Sequence, residues 1–393
     1  MSSKAALPPV VKSLGAVSFF NDLASEMVYP LIPALVTRTL GAGAVALGVL
    51  DGLAEAAASL AKLGAGWMAD RPGRRRPMVL LGYAIATVTR PVMALASAAW
   101  QVVALRATDR LGKGLRTPPR DAVIADATPL AIRGRAFGFH RAMDHAGAVV
   151  GPLLASAMLA VGIGVPRVFL WSVVPGVVVV AVAWWALRAE GGRGKGEALV
   201  SRPAPESPAP GTKASLLLAL VVGFAFARMP ETLFLLRLQD LALPVALAPV
   251  VWAALHVVRS LGSYPGGWLT DRLGSGRAMV LGWLIYAGVV LGLGAAGNAV
   301  VGVSWFLAFG LVGPATESAE RALVAQVGGL TRRGRAFGIY HASVGVAALP
   351  GGLLFGALYA RAGARTAFAV SAGLSLALCA ALFAAWARVQ RRP

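Results

Sequence analysis

The sequence predicts an all-α membrane protein of twelve transmembrane helices in two pseudo-symmetric six-helix bundles. Three observations carry this. Of 393 residues, 57% are hydrophobic and only 14% charged, against roughly 25% charge in a soluble domain. Apolar runs of ~20 residues, long enough to cross a bilayer as helix, recur throughout both halves. The chain also repeats itself. GWMADRPGRRR at 66–76 returns as GWLTDRLGSGR at 267–277, and RGRAFG at 133–138 returns unchanged at 333–338. Self-similarity over half the length marks a duplicated design.

A net charge of +20 would suit nucleic acid if the cations shared one face of a soluble domain. Instead they fall in alternate links. Lys4, Lys12 and the stretches 71–76, 116–135, 188–213, 272–277, 332–335 and 388–392 are rich in Lys and Arg, whereas the links between them hold Arg38, Arg167, Arg237, Arg361 and Arg365. Positive charge collects on the cytoplasmic side. Both termini are therefore expected in the cytoplasm of a multi-pass protein of the cell (inner) membrane, surrounded by lipid and without nucleic acid. Residues 1–12 lack a signal-peptide pattern, so the first span is expected to direct insertion. Cys379 is the single cysteine, so no disulfide links the chain to itself.

In chain order, span one (14–36) carries Asn21, Asp22 and Glu26 at membrane depth, with Pro30 and Pro33 bending its outer end. Asp22 and Glu26 share a helix face, as do Asp51 and Glu55 of span two (44–68). Span three (78–96) holds Arg90. Span four (100–115) holds Arg106, Asp109, Arg110 and Lys113, followed by a polar stretch, 116–135. Span five (136–161) opens with His140, Arg141, Asp144 and His145 and continues through Gly147, Gly151 and Pro152. Span six (169–187) is apolar. Residues 190–213 are rich in Gly, Pro and Ser and read as a flexible cytoplasmic linker between the halves 1–189 and 214–393. Spans seven to twelve are 216–236 with Arg228 and Glu231, 245–269 with His256 and Arg259, 279–296, 300–322, 337–359 and 368–386.

This pattern resembles the major facilitator superfamily of secondary transporters over nearly the whole chain. Gly66, Asp70, Arg71, Gly73, Arg74 and Arg75 match that family's Gly-x-x-x-Asp-Arg-x-Gly-Arg-Arg signature, and Gly267, Asp271, Arg272, Gly274 and Arg277 form its degraded second copy. Gly147, Gly151 and Pro152 match in part the fifth-span motif of the family's drug antiporters, without its trailing double glycine. Arg110 with Gly114 resembles a fourth-span motif linked to proton coupling. The stretch DRLGKGLRTPPRD at 109–121 is similar to a poorly characterised prokaryotic branch, one resembling drug/proton antiporters. The resemblance implies that the 66–76 motif and its copy form a cytoplasmic gate, whose charge pairs and helix-dipole contacts hold the outward-open state and break as the halves rock.

Ionisable groups at membrane depth cost roughly 2.5–3.5 kcal/mol on insertion scales, so they face a cavity or a partner. Asp22 or Glu26 is expected to carry a coupling proton or to touch a cationic part of the substrate. The competing reading is an ion pair with Arg106 or Arg110 that steadies the bundle. Arg106, Asp109 and Arg110 are expected to line the same cavity, against a reading in which Arg106 snorkels to headgroups. His140, Asp144 and His145 could relay protons; His140 and Asp144 share a face and could also bind a metal, a reading disfavoured because no third close ligand is evident. Asp51, Glu55, Arg228, Glu231 and His256 complete the expected cavity set, the repeat setting His256 at the counterpart of Glu55. Gly147, Gly151 and Pro152 are read as close helix packing. No metal or other cofactor is expected.

The function expected is proton-coupled efflux of a small organic molecule by alternating access, with the proton as coupling ion and a monomer as the working unit. Uptake of a sugar, organic acid, siderophore or metal complex is the first rival, and a lipid flippase the second. An ATP-driven pump or membrane enzyme is disfavoured. Gly112-Lys113-Gly114 lacks the hydroxyl residue and preceding strand of a phosphate-binding loop, and neither a zinc-protease helix nor a serine elbow is present.

Overall fold

The computed structural model describes residues 6–69, 71, 73–129, 133–190, 212–316, 319–320 and 333–390, and these residues contain helix and no strand. Helix α1 (Pro9–Glu26) starts on a proline and gives way to short turns at Tyr29–Leu31, Ile32–Ala34 and Leu35–Thr39, where Pro30 and Pro33 prevent a regular ladder. Then come α2 (Ala44–Ala69), α3 (Arg75–Val92), α4 (Ala99–Asp126) and α5 (Arg133–Ala160). Helix α6 has two pieces, Val165–Trp171 and Val173–Glu190. Helix α7 is also split, Thr212–Ala227 and Glu231–Asp240, because Pro230 takes an extended conformation between them. Helices α8 (Ala248–Leu273) and α9 (Ser275–Ala295) follow. Asn298 Oδ1 caps α10 (Ala299–Phe309) by accepting from Val301 N at 3.0 Å. The last helical stretch, Arg333–Gln390, turns at Gly363 into two arms, α11 (333–362) and α12 (364–390).

By length and composition, nine stretches among the described residues could cross a membrane, and the longest, Ala342–Trp386, contains the turn at Gly363. The first and fourth predicted spans are missing from those nine because their charged residues break the apolar run. With them, the helices fit twelve crossings. Large apolar side chains such as Val161, Leu261, Val300, Trp185 and Phe383 stand more than 60% exposed. Water would penalise such a surface, and acyl chains accept it.

Two boundaries differ from the sequence reading. Span four, predicted to end at residue 115, continues through Pro118 and Pro119 to Asp126. The added turns are held by Arg116, which donates to Gly82 O at 3.1 Å and to Asn21 Oδ1 at 3.2 Å. Of the predicted linker 190–213, residues 191–211 lie outside the described residues, and its ends belong to α6 and α7.

The duplication is written in the backbone. Six described residues have positive φ: Gly41, Gly73, Gly162, Ala242, Gly274 and Gly363. They form three pairs, since the same 201 residues separate 41 from 242, 73 from 274 and 162 from 363. The interfaces between halves also exchange under the repeat. Helix α2 lies along α11, and its repeat partner α8 lies along α5, the repeat partner of α11. At the first interface a Cβ on Gly48 would collide with the carbonyl of Gly352, and a Cβ on Gly352 with that of Gly48. Only glycine permits this approach.

A candidate transport cavity between the halves

The buried charges fall into two groups. The first is inside the first half. Asp109, 1% exposed, holds Arg90 Nε at 3.1 Å and Arg106 Nη1 at 3.2 Å, with Arg110 Nε further away at 3.9 Å. Arg90 also donates to Asn21 O at 3.1 Å and Asn21 Oδ1 at 3.2 Å, the oxygen that Arg116 reaches. Helices α1, α3 and α4 are thereby tied together by groups that cannot be bare in a low-dielectric interior. Asp109 does not line the cavity. Its carboxylate is spent on the arginines around it.

The second group lines a cavity of about 410 Å³ between the halves. From the first half come Glu26, Tyr29, Asp51, Glu55, Arg106, Arg110 and Lys113. From the second come Phe224, Arg228, Glu231, Trp252, His256, Arg259, Glu320 and Tyr340. The breaks in α1 and α7 fall at the cavity wall, where Tyr29 and Met229-Pro230 lie, as broken helices do in transporter sites.

One end of this cavity is sealed. Trp252 Nε1 donates to Glu26 Oε2 at 2.8 Å, and His256 Nε2 lies 3.7 Å from the same oxygen. Thr232 N donates to Asp51 Oδ2 at 3.0 Å, and Thr232 Oγ1 to Leu47 O at 3.3 Å. Tyr29 Oη donates across both Asp51 oxygens at 3.2 Å, while the Arg106 guanidinium stacks 4.6 Å over the Tyr29 ring. Ser156 Oγ donates to Ala246 O at 2.7 Å between α5 and the start of α8. All these bonds join the halves or brace the residues that do, at the end away from the 66–76 loop. Toward that loop the packing opens. Glu55 and Lys113 are exposed to the cavity, and a Cβ at Gly64 or Gly66 would meet nothing within 4 Å. In the second half Glu231 Oε1 accepts from Arg259 Nη2 at 2.7 Å and Arg228 Nη2 at 3.3 Å, and Glu320 accepts from Tyr340 Oη at 2.7 Å.

The model of the Major Facilitator Superfamily matches residues 14–316 and 257–393. This chain belongs to that superfamily. Its curated relatives include an uncharacterised MFS-type transporter of Methanocaldococcus jannaschii, 26% identical over 88% of this chain and 87% of the relative. An uncharacterised Mycobacterium tuberculosis protein is 30% identical over 89% of this chain and 86% of its own. The multidrug resistance protein MdtH of Edwardsiella ictaluri is 34% identical over 34% of this chain and 33% of its length. Among solved structures, a bacterial homologue of the human lysosomal transporter Spinster, inward-facing and unoccupied, superimposes with a TM-score of 0.72 at 18% identity, covering 98% of this chain and 96% of that one. A POT family transporter in complex with a thioalcohol-conjugated peptide gives 0.78 at 10% identity, covering 97% and 96%. Such low identities speak for the fold. The fold and family are those of multi-pass membrane transporters acting on small molecules.

The remaining expected residues are placed as follows. Asp22 lies outside the cavity wall, with Asn21 Nδ2 donating to it at 2.9 Å and with Asp144 and Lys113 in electrostatic range. Asp144 accepts from Ser18 Oγ and lies 3.6 Å from His140 Nδ1, so His140, Asp144 and α1 form a separate polar seam. His145 is half-buried on the same helix and does not line the cavity. Gly147 and Gly151 press α5 against the carbonyls of Phe19 and Leu23, with Pro152 buried beside them. In the loop motif, Asp70 and the Asp271 side chain lie outside the described residues. Arg71 and Arg74 are exposed, Gly73 and Gly274 take their positive φ, and it is Arg75 that pairs with Asp126 at the end of α4. Gly267 is within α8, and Arg272 and Arg277 are exposed.

Sequence reasoning passed over Tyr29, Trp252 and Thr232, which close the sealed end. Uncharged side chains give no signal of membrane-depth cost. It also left Arg90, Lys113 and Arg259 unassigned, although each was visible as a cation within a span.

Proposed function

We propose that this chain is a proton-coupled secondary transporter of a small organic molecule, working by alternating access in the cytoplasmic membrane with both termini in the cytoplasm. The observation that carries this reading is the cavity walled by both halves, sealed at one end and open toward the 66–76 loop. In this reading 1–189 and 214–393 rock as two bodies joined by 190–213, and the unit is a monomer. The open end is the cytoplasmic one. Glu26 and Asp51 break their bonds to Trp252 and Thr232 when the seal opens, and the loop motif with its copy closes the other end. Asp22, with the His140–Asp144 seam beside it, is the candidate for the coupling proton. No catalytic step is assigned to the chain.

Export is the direction favoured by the likeness of one third of the chain to multidrug resistance protein MdtH. Uptake is favoured by the cavity itself, which carries five acidic and six basic side chains. That lining suits a small charged solute and argues against the lipid flippase. Proton and substrate that exclude one another make an exporter. Proton and substrate held together make an importer. The test is flux in oriented proteoliposomes with a pH-reporting dye inside. Addition of a carried solute should move protons across the bilayer, and solute flux with no proton movement would remove the coupling.

A further inference from the structure

The charges of the cavity are not equally committed. Glu26 is held by Trp252, Asp51 by Tyr29 and Thr232, Glu231 by two arginines and Glu320 by Tyr340. Arg110 and Lys113 are different. Among the described residues, the only carboxylate within ion-pairing distance of Arg110 is Asp109 at 3.9 Å, whose oxygens Arg90 and Arg106 already hold more closely. Lys113 reaches no carboxylate within ion-pairing distance among the described residues, although it is exposed in the cavity and within electrostatic range of Arg110 and of Asp22. One turn of α4 thus presents two adjacent cations to the space between the halves. Glu55, exposed to the same space, is a carboxylate within range of both, and its one side-chain hydrogen bond among the described residues is from Ser59 Oγ at 3.4 Å. Asp22 lies in range of Lys113 and Glu26 in range of Arg110, but none of these carboxylates closes an ion pair with either cation among the described residues, so an anion entering the cavity can bridge the two. Phe224, Trp252 and Tyr340 add apolar area to the same wall.

Resting on the transport reading above, we infer that the substrate is an organic anion, with its carboxylate or phosphate group held between Arg110 and Lys113 and its apolar body against the aromatic wall. An oxyanion gives the guanidinium two acceptors and the ammonium a third, bonds stronger than those between neutral groups. A negative charge there also makes it easier for Glu55 to hold a proton, so this class of substrate couples most simply in the same direction as the proton.

The test uses the purified full-length chain and four probes of one shape: 4-phenylbutyrate, 3-phenylpropylphosphonate, 4-phenylbutanamide and 4-phenylbutylamine. A ligand that binds the folded state raises the melting temperature with the logarithm of its concentration relative to its Kd. At millimolar concentration the carboxylate or the phosphonate should raise it, and the stronger of the two identifies the head group. The amide and amine should not. Arg110→Gln and Lys113→Gln should each weaken the anion at least roughly tenfold, the worth of one charged hydrogen bond. The inference is overturned if the amine or amide stabilises as well as the anions, if no anion stabilises, or if the anion effect survives both substitutions in folded protein. Vesicle flux separates this from the transport reading. Binding of the anion without its passage keeps the site and removes the transporter. Passage of the amine and not the anion does the reverse.

Discussion

The indole N–H of Trp252 reaches across from the second half of the chain to donate to the Glu26 carboxylate at 2.8 Å. Among the described residues, that bond is one of two hydrogen bonds by which the second half holds a carboxylate of the first at the seal, the other being Thr232 N to Asp51. Trp252→Phe keeps the ring and removes the donor, and a hydrogen bond to a charged group contributes about 1.5–3 kcal/mol. The variant should shift toward the state open at the present sealed end. Spin labels on Ala46 and Leu358, which flank the seal, should report a longer distance. An unchanged distance distribution would make the bond incidental.

Asp22→Asn should abolish gradient-driven flux while leaving solute exchange and the melting temperature near wild type. The carboxylate has an Asn21 amide beside it and no arginine within ion-pairing distance among the described residues. Its loss should therefore cost coupling more than folding. Full proton-driven flux in the variant would remove Asp22 from the mechanism and leave Glu26, Glu55 or the His140–Asp144 seam as the carrier.

Asp109→Asn should act in the opposite way. The carboxylate neutralises arginines in a buried network, and removing one partner of such a group costs about 3–5 kcal/mol. A large fall in the melting temperature, or failure to accumulate, is expected. A well-folded variant with a specific transport defect would instead place Asp109 in the transport path.

Ala242 holds the left-handed conformation that glycine holds at its repeat partner, Gly41. That conformation costs a residue with a Cβ about 1–2 kcal/mol. Glycine adds about 0.4–1 kcal/mol of unfolded-state freedom. Relief of strain outweighs it, so Ala242→Gly should raise the melting temperature slightly and Gly41→Ala should lower it. Calorimetry on both reads the sign, and a drop for Ala242→Gly would mean that the turn is not strained.

Much of this architecture was legible because a membrane span is a compositional signal. Spans two, three, five and nine lie within a few residues of α2, α3, α5 and α9. The glycine motif Gly147–Gly151 was legible as packing because small residues at that spacing have few other uses. The split of α7 at Pro230 was not read, since the apolar run continues across it. The cavity set was half legible. Charge at membrane depth pointed to Glu26, Asp51, Glu55, Arg106 and Arg110, and the cavity includes them. It could not tell those from Asp109, because whether a buried charge faces a cavity or a partner depends on which helix packs beside it. Arg90, on α3, satisfies Asp109, on α4, and nothing in either helix alone announces that.

The most direct measurement of the central claim uses single cysteines in a Cys379→Ser background. One replaces Thr232, fully buried at the seal, and the other Lys62, half-buried toward the open end. Each is exposed to a membrane-impermeant thiol reagent in oriented vesicles, with and without an imposed proton gradient. Alternating access predicts that labelling at position 232 rises, from the face opposite the 66–76 loop, as labelling at position 62 falls. Labelling that changes in the same sense at both positions, or a position 232 that never reacts from that face, would contradict it.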